Sequence, residues 1–135
     1  MSAETPSTEV LRATLEAYFA AIAARDPKRI ASVFAEDCEI EDPVGSPIHH
    51  GRDGVVGLFA SGVAALASHV KITVLAALPS GNSIATHWTM TARGKAGREI
   101  EAEGIDVLQV DSQGQIVRAK GYWNASAFRQ MLAAN

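Results

Sequence analysis

REIEAEGIDVLQVD, residues 98–111, alternates polar and apolar side chains along most of its length, the mark of a strand with one buried face. One parity holds Ile100, Ala102, Gly104, Asp106, Leu108 and Val110; the other holds Glu99, Glu101, Glu103, Ile105, Val107 and Gln109. A strand this long needs partners, and the flanking sequence offers them. His69–Leu78 and Ser83–Arg93 alternate in the same way around a turn at Pro79–Asn82, and Gly94–Gly97 turns back into the long strand. Beyond a turn at Ser112–Gly114, a further strand runs over Gln115–Trp123. Asn124 or Ser126 caps a short helix through Leu132.

Upstream the period changes. Leu11, Leu15, Tyr18 and Ile22 form one helical stripe, with Thr5–Pro6 as cap and first-position proline and Glu9 in the first turn. Asp26–Pro27 repeats that signal and starts a shorter helix through Phe34. Cys38–Asp42 alternates as a strand, Pro43–Gly51 is a loop, and Arg52–Leu66 is weakly helical, interrupted by Gly54, Gly57 and Gly62. Helices first and strands after predict an α+β domain, a curved antiparallel sheet wrapped around the N-terminal helices. No repeat or linker divides the chain, and 135 residues suit one domain, so residues 1–135 read as a single unit.

Composition excludes several classes of function. With 12 Lys+Arg against 15 Asp+Glu, the chain has no basic excess to neutralise nucleic-acid phosphates. A lone cysteine, Cys38, excludes an internal disulfide and a multi-thiolate metal site. No apolar run approaches the roughly 18 residues of a membrane span, and the N-terminus lacks a leader pattern, so a cytoplasmic protein is expected. His49 and His50 are adjacent and have no acids at ligand spacing. They read as a solvated loop, and neither a metal nor a cofactor is expected.

The informative residues are acids on apolar faces. From Ile100 to Val110, Asp106 is the one charged side chain on the inward parity of the long strand. Asp42 shares a face with Cys38 and Ile40. A carboxylate forced into apolar surroundings finds a cation or keeps its proton. The facing rows hold no cation: Ile84, Thr86, Trp88, Met90 and Ala92 in one strand, Val117, Ala119, Gly121 and Trp123 in the other. Raised carboxyl pKa values follow, and two such groups in unlike environments can divide the work of base and acid. Tyr18, on the helical stripe, adds a hydroxyl donor. Taken singly, each inward Asp also reads as a structural acceptor and Tyr18 as a core tyrosine. It is their coincidence, with no inward cation, that points to a site.

With these residues in view, the chain resembles the ketosteroid isomerases (steroid Δ5-isomerases) of the nuclear-transport-factor-2-like superfamily. The resemblance runs through Tyr18–Asp26 and Ile30–Asp37, is densest at Ile40-Glu-Asp-Pro-Val-Gly-Ser46, and resumes at Gly104–Leu108 and Ala119–Asn124. It implies a cone-shaped α+β roll around an apolar cavity, a homodimer formed through the outer sheet face, and a small apolar steroid as substrate. By the same resemblance Asp42 looks like the general base, Tyr18 like one oxyanion-hole donor, and Asp106 like a second donor kept protonated. Ketosteroid isomerases are the standing example of this division of labour between carboxyls. Trp123 matches an aromatic beside the base, and Phe34, Phe59, Trp88 and Met90 join it as candidate substrate-binding residues, although each also reads as plain core. Phe34 and Phe59 stand where some relatives carry tyrosines bonded to the catalytic tyrosine, so a reduced network around Tyr18 is implied. A SnoaL-type polyketide cyclase and a non-catalytic binder of small apolar ligands are the alternatives on the same fold.

Overall fold

The computed structural model describes residues 5–134. Helix α1 (Thr8–Ala23) starts at Ser7, whose hydroxyl accepts the Val10 N–H at 3.1 Å. Ser7 rather than Thr5 is therefore the cap. The buried side of α1 includes Leu11, Leu15, Tyr18, Phe19 and Ile22. Helix α2 (Pro27–Ser32) is capped by Asp26, which accepts the Arg29 N–H at 3.2 Å. It stops short of Phe34. That residue opens strand β1 (Phe34–Glu41) and pairs with Ile116, an earlier start than the alternation at Cys38–Asp42 implied.

The remaining elements are β2 (His49–His50), α3 (Gly51–Ser61), α4 (Val63–Leu66), β3 (His69–Ser80), β4 (Ser83–Arg93), β5 (Glu99–Val110), β6 (Ile116–Tyr122) and α5 (Ala125–Ala134). The six strands form one curled sheet in the order β2-β1-β6-β5-β4-β3. From β3 to β6 neighbours are antiparallel. β1 lies parallel to β6, which corrects the expectation of an antiparallel sheet throughout. The physical reason is connectivity: long crossovers, not a hairpin, join β1 to the meander, so nothing forces the antiparallel direction. β2 takes two residues from the expected loop and pairs them with Glu39 and Ile40.

A second correction concerns β6. The register slips between Gln109 and Val110, so an extra β6 residue is accommodated as a bulge. Ile116 is thereby fully buried, whereas the strand alternation had put Val117 inside. The chain returns to the expected parity at Ala119 and Gly121, both buried. Helix α1 packs on β3, β4 and β5, α3 on β1, and α5 on β5, which together enclose the core. Among the described residues no helix is long and apolar enough to cross a membrane. None of their His, Cys, Asp and Glu side chains gather in threes to hold a metal ion.

Candidate active site

The sheet register brings four inner-face positions into one row. Asp106 pairs with Thr86 on one side and Gly121 on the other. On β1, Glu41 pairs with Lys120, so Asp42 comes level with Gly121. The Val44 N–H donates to the Gly121 carbonyl at 2.7 Å and ties the chain just after Asp42 to β6. Gly121 leaves the room that the Asp42 carboxyl takes. A Cβ at that position would lie 2.8 Å from the Asp42 Cγ, so the carboxyl occupies the space that any other residue would fill.

Both acids are driven toward the neutral form. Burial pushes the Asp42 carboxyl up to about 6, partly opposed by the Trp123 indole, which donates to its Oδ1 at 2.6 Å. Asp106 is 4% exposed. Burial is the larger cause of its rise well above the usual carboxylate range, and the nearby charge of Asp42 adds to it. The Trp88 indole works against both, donating to Asp106 Oδ1 at 3.0 Å. The rows that offered no cation thus offer two indole N–H groups. Trp88 and Trp123 also meet edge to face, with ring centres 5.6 Å apart.

Tyr18 is buried, with its ring edge-on to Phe34 at 5.7 Å and to Phe59 at 6.3 Å. Burial first, then the charges of Asp106 and Asp42, raise its pKa well above the ordinary phenol value. The hydroxyl therefore keeps its proton and lies within the field of both carboxyls. Phe34 and Phe59 meet it through ring edges and bring no hydroxyl of their own.

An apolar cavity of about 110 Å³, counted as space open to the centre of a water molecule, includes Asp42 and Asp106 in its wall. Phe59, Trp88, Met90 and Trp123 line it as well. Tyr18 and Phe34 do not: their rings pack together in the core outside the wall. Sequence reasoning missed the contribution of α5. Phe128 and Leu132 are buried and close one side, a pair whose i, i+4 spacing was the available signal. Arg129 is exposed and is the one cation of the wall. Its Nη2 donates to the Ser61 carbonyl at 3.3 Å, tying α5 to the end of α3.

The histidines singled out in the loop lie elsewhere: His50 Nδ1 stands 4.0 Å from a Glu39 carboxylate oxygen. Cys38 is buried, and burial raises its thiol pKa, which keeps it an unreactive thiol. What the cavity contains is an acid that ionises near neutral pH beside one that holds its proton more tightly. Such a pair can remove a proton and at the same time donate a hydrogen bond.

Comparison with known proteins gives three findings. The profile of the SnoaL-like domain matches residues 15–119. A steroid Delta-isomerase of Nocardioides simplex is 30% identical over 117 residues, covering 87% of this chain and 91% of that protein. Among solved structures, the epoxide hydrolase/cyclase-like enzyme SalBIII, described for its role in pyran ring formation in polyether salinomycin, matches with a TM-score of 0.75. The match covers 87% of this chain and 93% of that one at 20% identity, a likeness of fold.

Proposed function

Since the chain belongs to the SnoaL-like family of NTF2-like domains, we propose that it is a steroid Δ-isomerase, moving the double bond of a 3-oxo-Δ5-steroid into conjugation with the ketone. The single observation that carries this reading is the presence of two buried, unlike carboxyls in the wall of one apolar cavity, Asp42 over Gly121 and Asp106 on the neighbouring strand. Asp42, the more readily ionised, takes the proton from the carbon between the ketone and the isolated double bond. The resulting dienolate oxygen accepts a hydrogen bond from protonated Asp106, and Tyr18, buried behind the wall, becomes the second donor only where the bound ligand brings that oxygen to its hydroxyl. Asp42 then returns the same proton two carbons further along, so no atom is gained or lost. A donor already in place in a water-poor site stabilises the dienolate without reorganising, and the aromatic wall holds the flat ring system. No step calls for a cofactor.

The relative from Nocardioides simplex, by its name, acts on a steroid, and the wall of Phe59, Trp88, Met90 and Trp123 suits a ligand of that class. A second copy of the chain fits the outer sheet face, where Ile105, Tyr122 and Leu78 stand exposed. Addition of a β,γ-unsaturated 3-ketosteroid should produce conjugated-enone absorbance. Absence of that signal, or an Asp42→Asn variant as active as the parent, overturns the proposal. Tight binding of a phenolic steroid without turnover would mark a binding protein instead. A SnoaL-type cyclase is the second reading, favoured by the proton that Asp106 retains, because a cyclase can use it as a true acid. Asp106→Asn separates the two: an amide still donates a hydrogen bond, but it cannot give up a proton as a carboxylic acid does.

A further inference from the structure

A carboxylic acid has two oxygens, and only the one carrying the proton can donate. The surroundings of Asp106 decide between them. Trp88 Nε1 lies 3.0 Å from Asp106 Oδ1, with both residues buried. An indole N–H donates and never accepts. If Oδ1 carried the acid proton, Trp88 would donate to a hydroxyl oxygen, a poorer acceptor than the carbonyl oxygen of a carboxylic acid, in a buried part of the site. Oδ1 is therefore the acceptor, and the proton of neutral Asp106 belongs on Oδ2.

The indole is itself firmly placed. Trp88 pairs with Gly104 across β4 and β5, and a Cβ at Gly104 would lie 2.5 Å from Trp88 Cζ2, so the ring uses the space the glycine leaves. Trp123 braces its edge. Neighbouring Thr86 is committed elsewhere, its hydroxyl donating to the Ala76 carbonyl at 2.9 Å. Asp42 from the end of β1 and Tyr18 from α1 are the titratable groups whose charge interacts with Asp106, and Arg129 on α5 is the one cation of the wall. No other donor is recorded at Oδ1 among the described residues.

We propose that Trp88 is a positioning residue: its indole N–H fixes Oδ1 of Asp106 as an acceptor and so commits Oδ2 to the ligand as the donor. Its effect on turnover rests on the isomerase reading of the site; its effect on the Asp106 carboxyl does not. The same bond favours the ionised form of Asp106, so Trp88 orients the donor while opposing part of the burial that keeps it protonated.

The test removes the N–H with and without Asp106. Site-specific replacement of the Trp88 indole by benzothiophene keeps the ring shape and deletes the donor; Trp88→Phe is the simpler companion. Both are made in the parent and in Asp106→Ala, and three quantities are read. These are the affinity for 2-naphthol, whose phenolic oxygen stands in for the dienolate, the carboxyl ¹³C titration of Asp106, and kcat with KM. In the parent, losing the N–H should weaken 2-naphthol binding and lower kcat by about tenfold, the worth of one hydrogen bond. KM should change less, and Asp106 should titrate at higher pH. In Asp106→Ala the same replacement should change binding less than about twofold, because distinct partners give a coupling and a merely structural ring does not. Equal losses in both backgrounds, or an Asp106 titration unmoved by the benzothiophene, would overturn the proposal. If the parent turns over no ketosteroid, the function proposal fails, and the titration still decides the role of Trp88.

Discussion

Asp106 and Glu103 stand on the same strand and meet opposite fates. Glu103 faces outward, where His87 Nε2 lies 2.8 Å from its Oε2 in solvent. Asp106 faces inward and finds an indole N–H, a second acid and no cation. The contrast repeats at β1. Glu39, outside, has Arg118 Nε at 3.4 Å, and Asp42, inside, has Trp123 as its one side-chain partner among the described residues. Pairs of outer carboxylates with partners in water contribute little to stability. Inner carboxylates without a counter-charge move their proton affinity instead. One sheet thus holds carboxyls in two settings, beside partners in water outside and pushed toward the neutral form inside.

That contrast should break most sharply at Asp42, the proposed base. Asp42→Asn should lower enone formation by about three orders of magnitude, the scale of a positioned general base, as followed by absorbance of the conjugated ketone. Asp106→Ala should cost about a hundredfold in kcat, the scale of one oxyanion-hole donor. Asp106→Asn should retain most of the activity. The corresponding changes outside should do nothing.

Stability should shift in the opposite sense. The Asp42 carboxyl is raised in the folded state to about 6, above an unfolded value near 4. Between those values the folded chain binds more protons than the unfolded one. Stability therefore falls as pH rises through that window, by on the order of 2 to 3 kcal/mol at full ionisation. Asp42→Asn should remove this part of the slope, so urea unfolding from pH 4 to pH 8 should find the variant gaining on the parent as pH rises. Asp106, also raised, should add a decline in the same direction.

Smaller effects sharpen the comparison. Gly121→Ala places a methyl group where the Asp42 carboxyl sits. The carboxyl is the free end of a short side chain and can move aside, so the fold should survive while kcat falls about tenfold, a cost of roughly 1.4 kcal/mol in the barrier. The smallest effect belongs to Glu103→Gln on the outer face, which should leave kcat unchanged and alter stability by less than about 0.5 kcal/mol. A large loss there would show that the outer pair is not the bystander its exposure suggests.

Much of this arrangement was legible from spacing. Period-two alternation put Asp106 inward on β5 and Ile105 outward, and the helical stripe brought Tyr18 into the core. What alternation could not carry was neighbourhood across the sheet. It left Phe34 in a helix, because a short helix running into a strand has no sharp boundary in period alone. It also put Val117 inside, because a bulge adds one residue without a mark in the pattern. The β4 and β6 rows were correctly read as lacking a cation, yet their tryptophans are the carboxyl partners. An indole is apolar in area and polar at one atom, so a pattern of apolar residues hides its donor.

By itself the sequence determined which side chains each strand and helix turns inward, since facing depends only on local backbone period. It thereby determined that acids would be buried without cations beside them in the same rows. The tertiary structure alone decided that β1 lies parallel to β6, that the Asp42 carboxyl sits over Gly121, and that each acid receives one indole N–H. It also decided that α5 closes the cavity. These depend on register and on contacts between distant residues, such as Asp42 and Trp123, 81 positions apart in the chain. Local period sets no such distance; only the closing of the sheet and the packing of helices on it does.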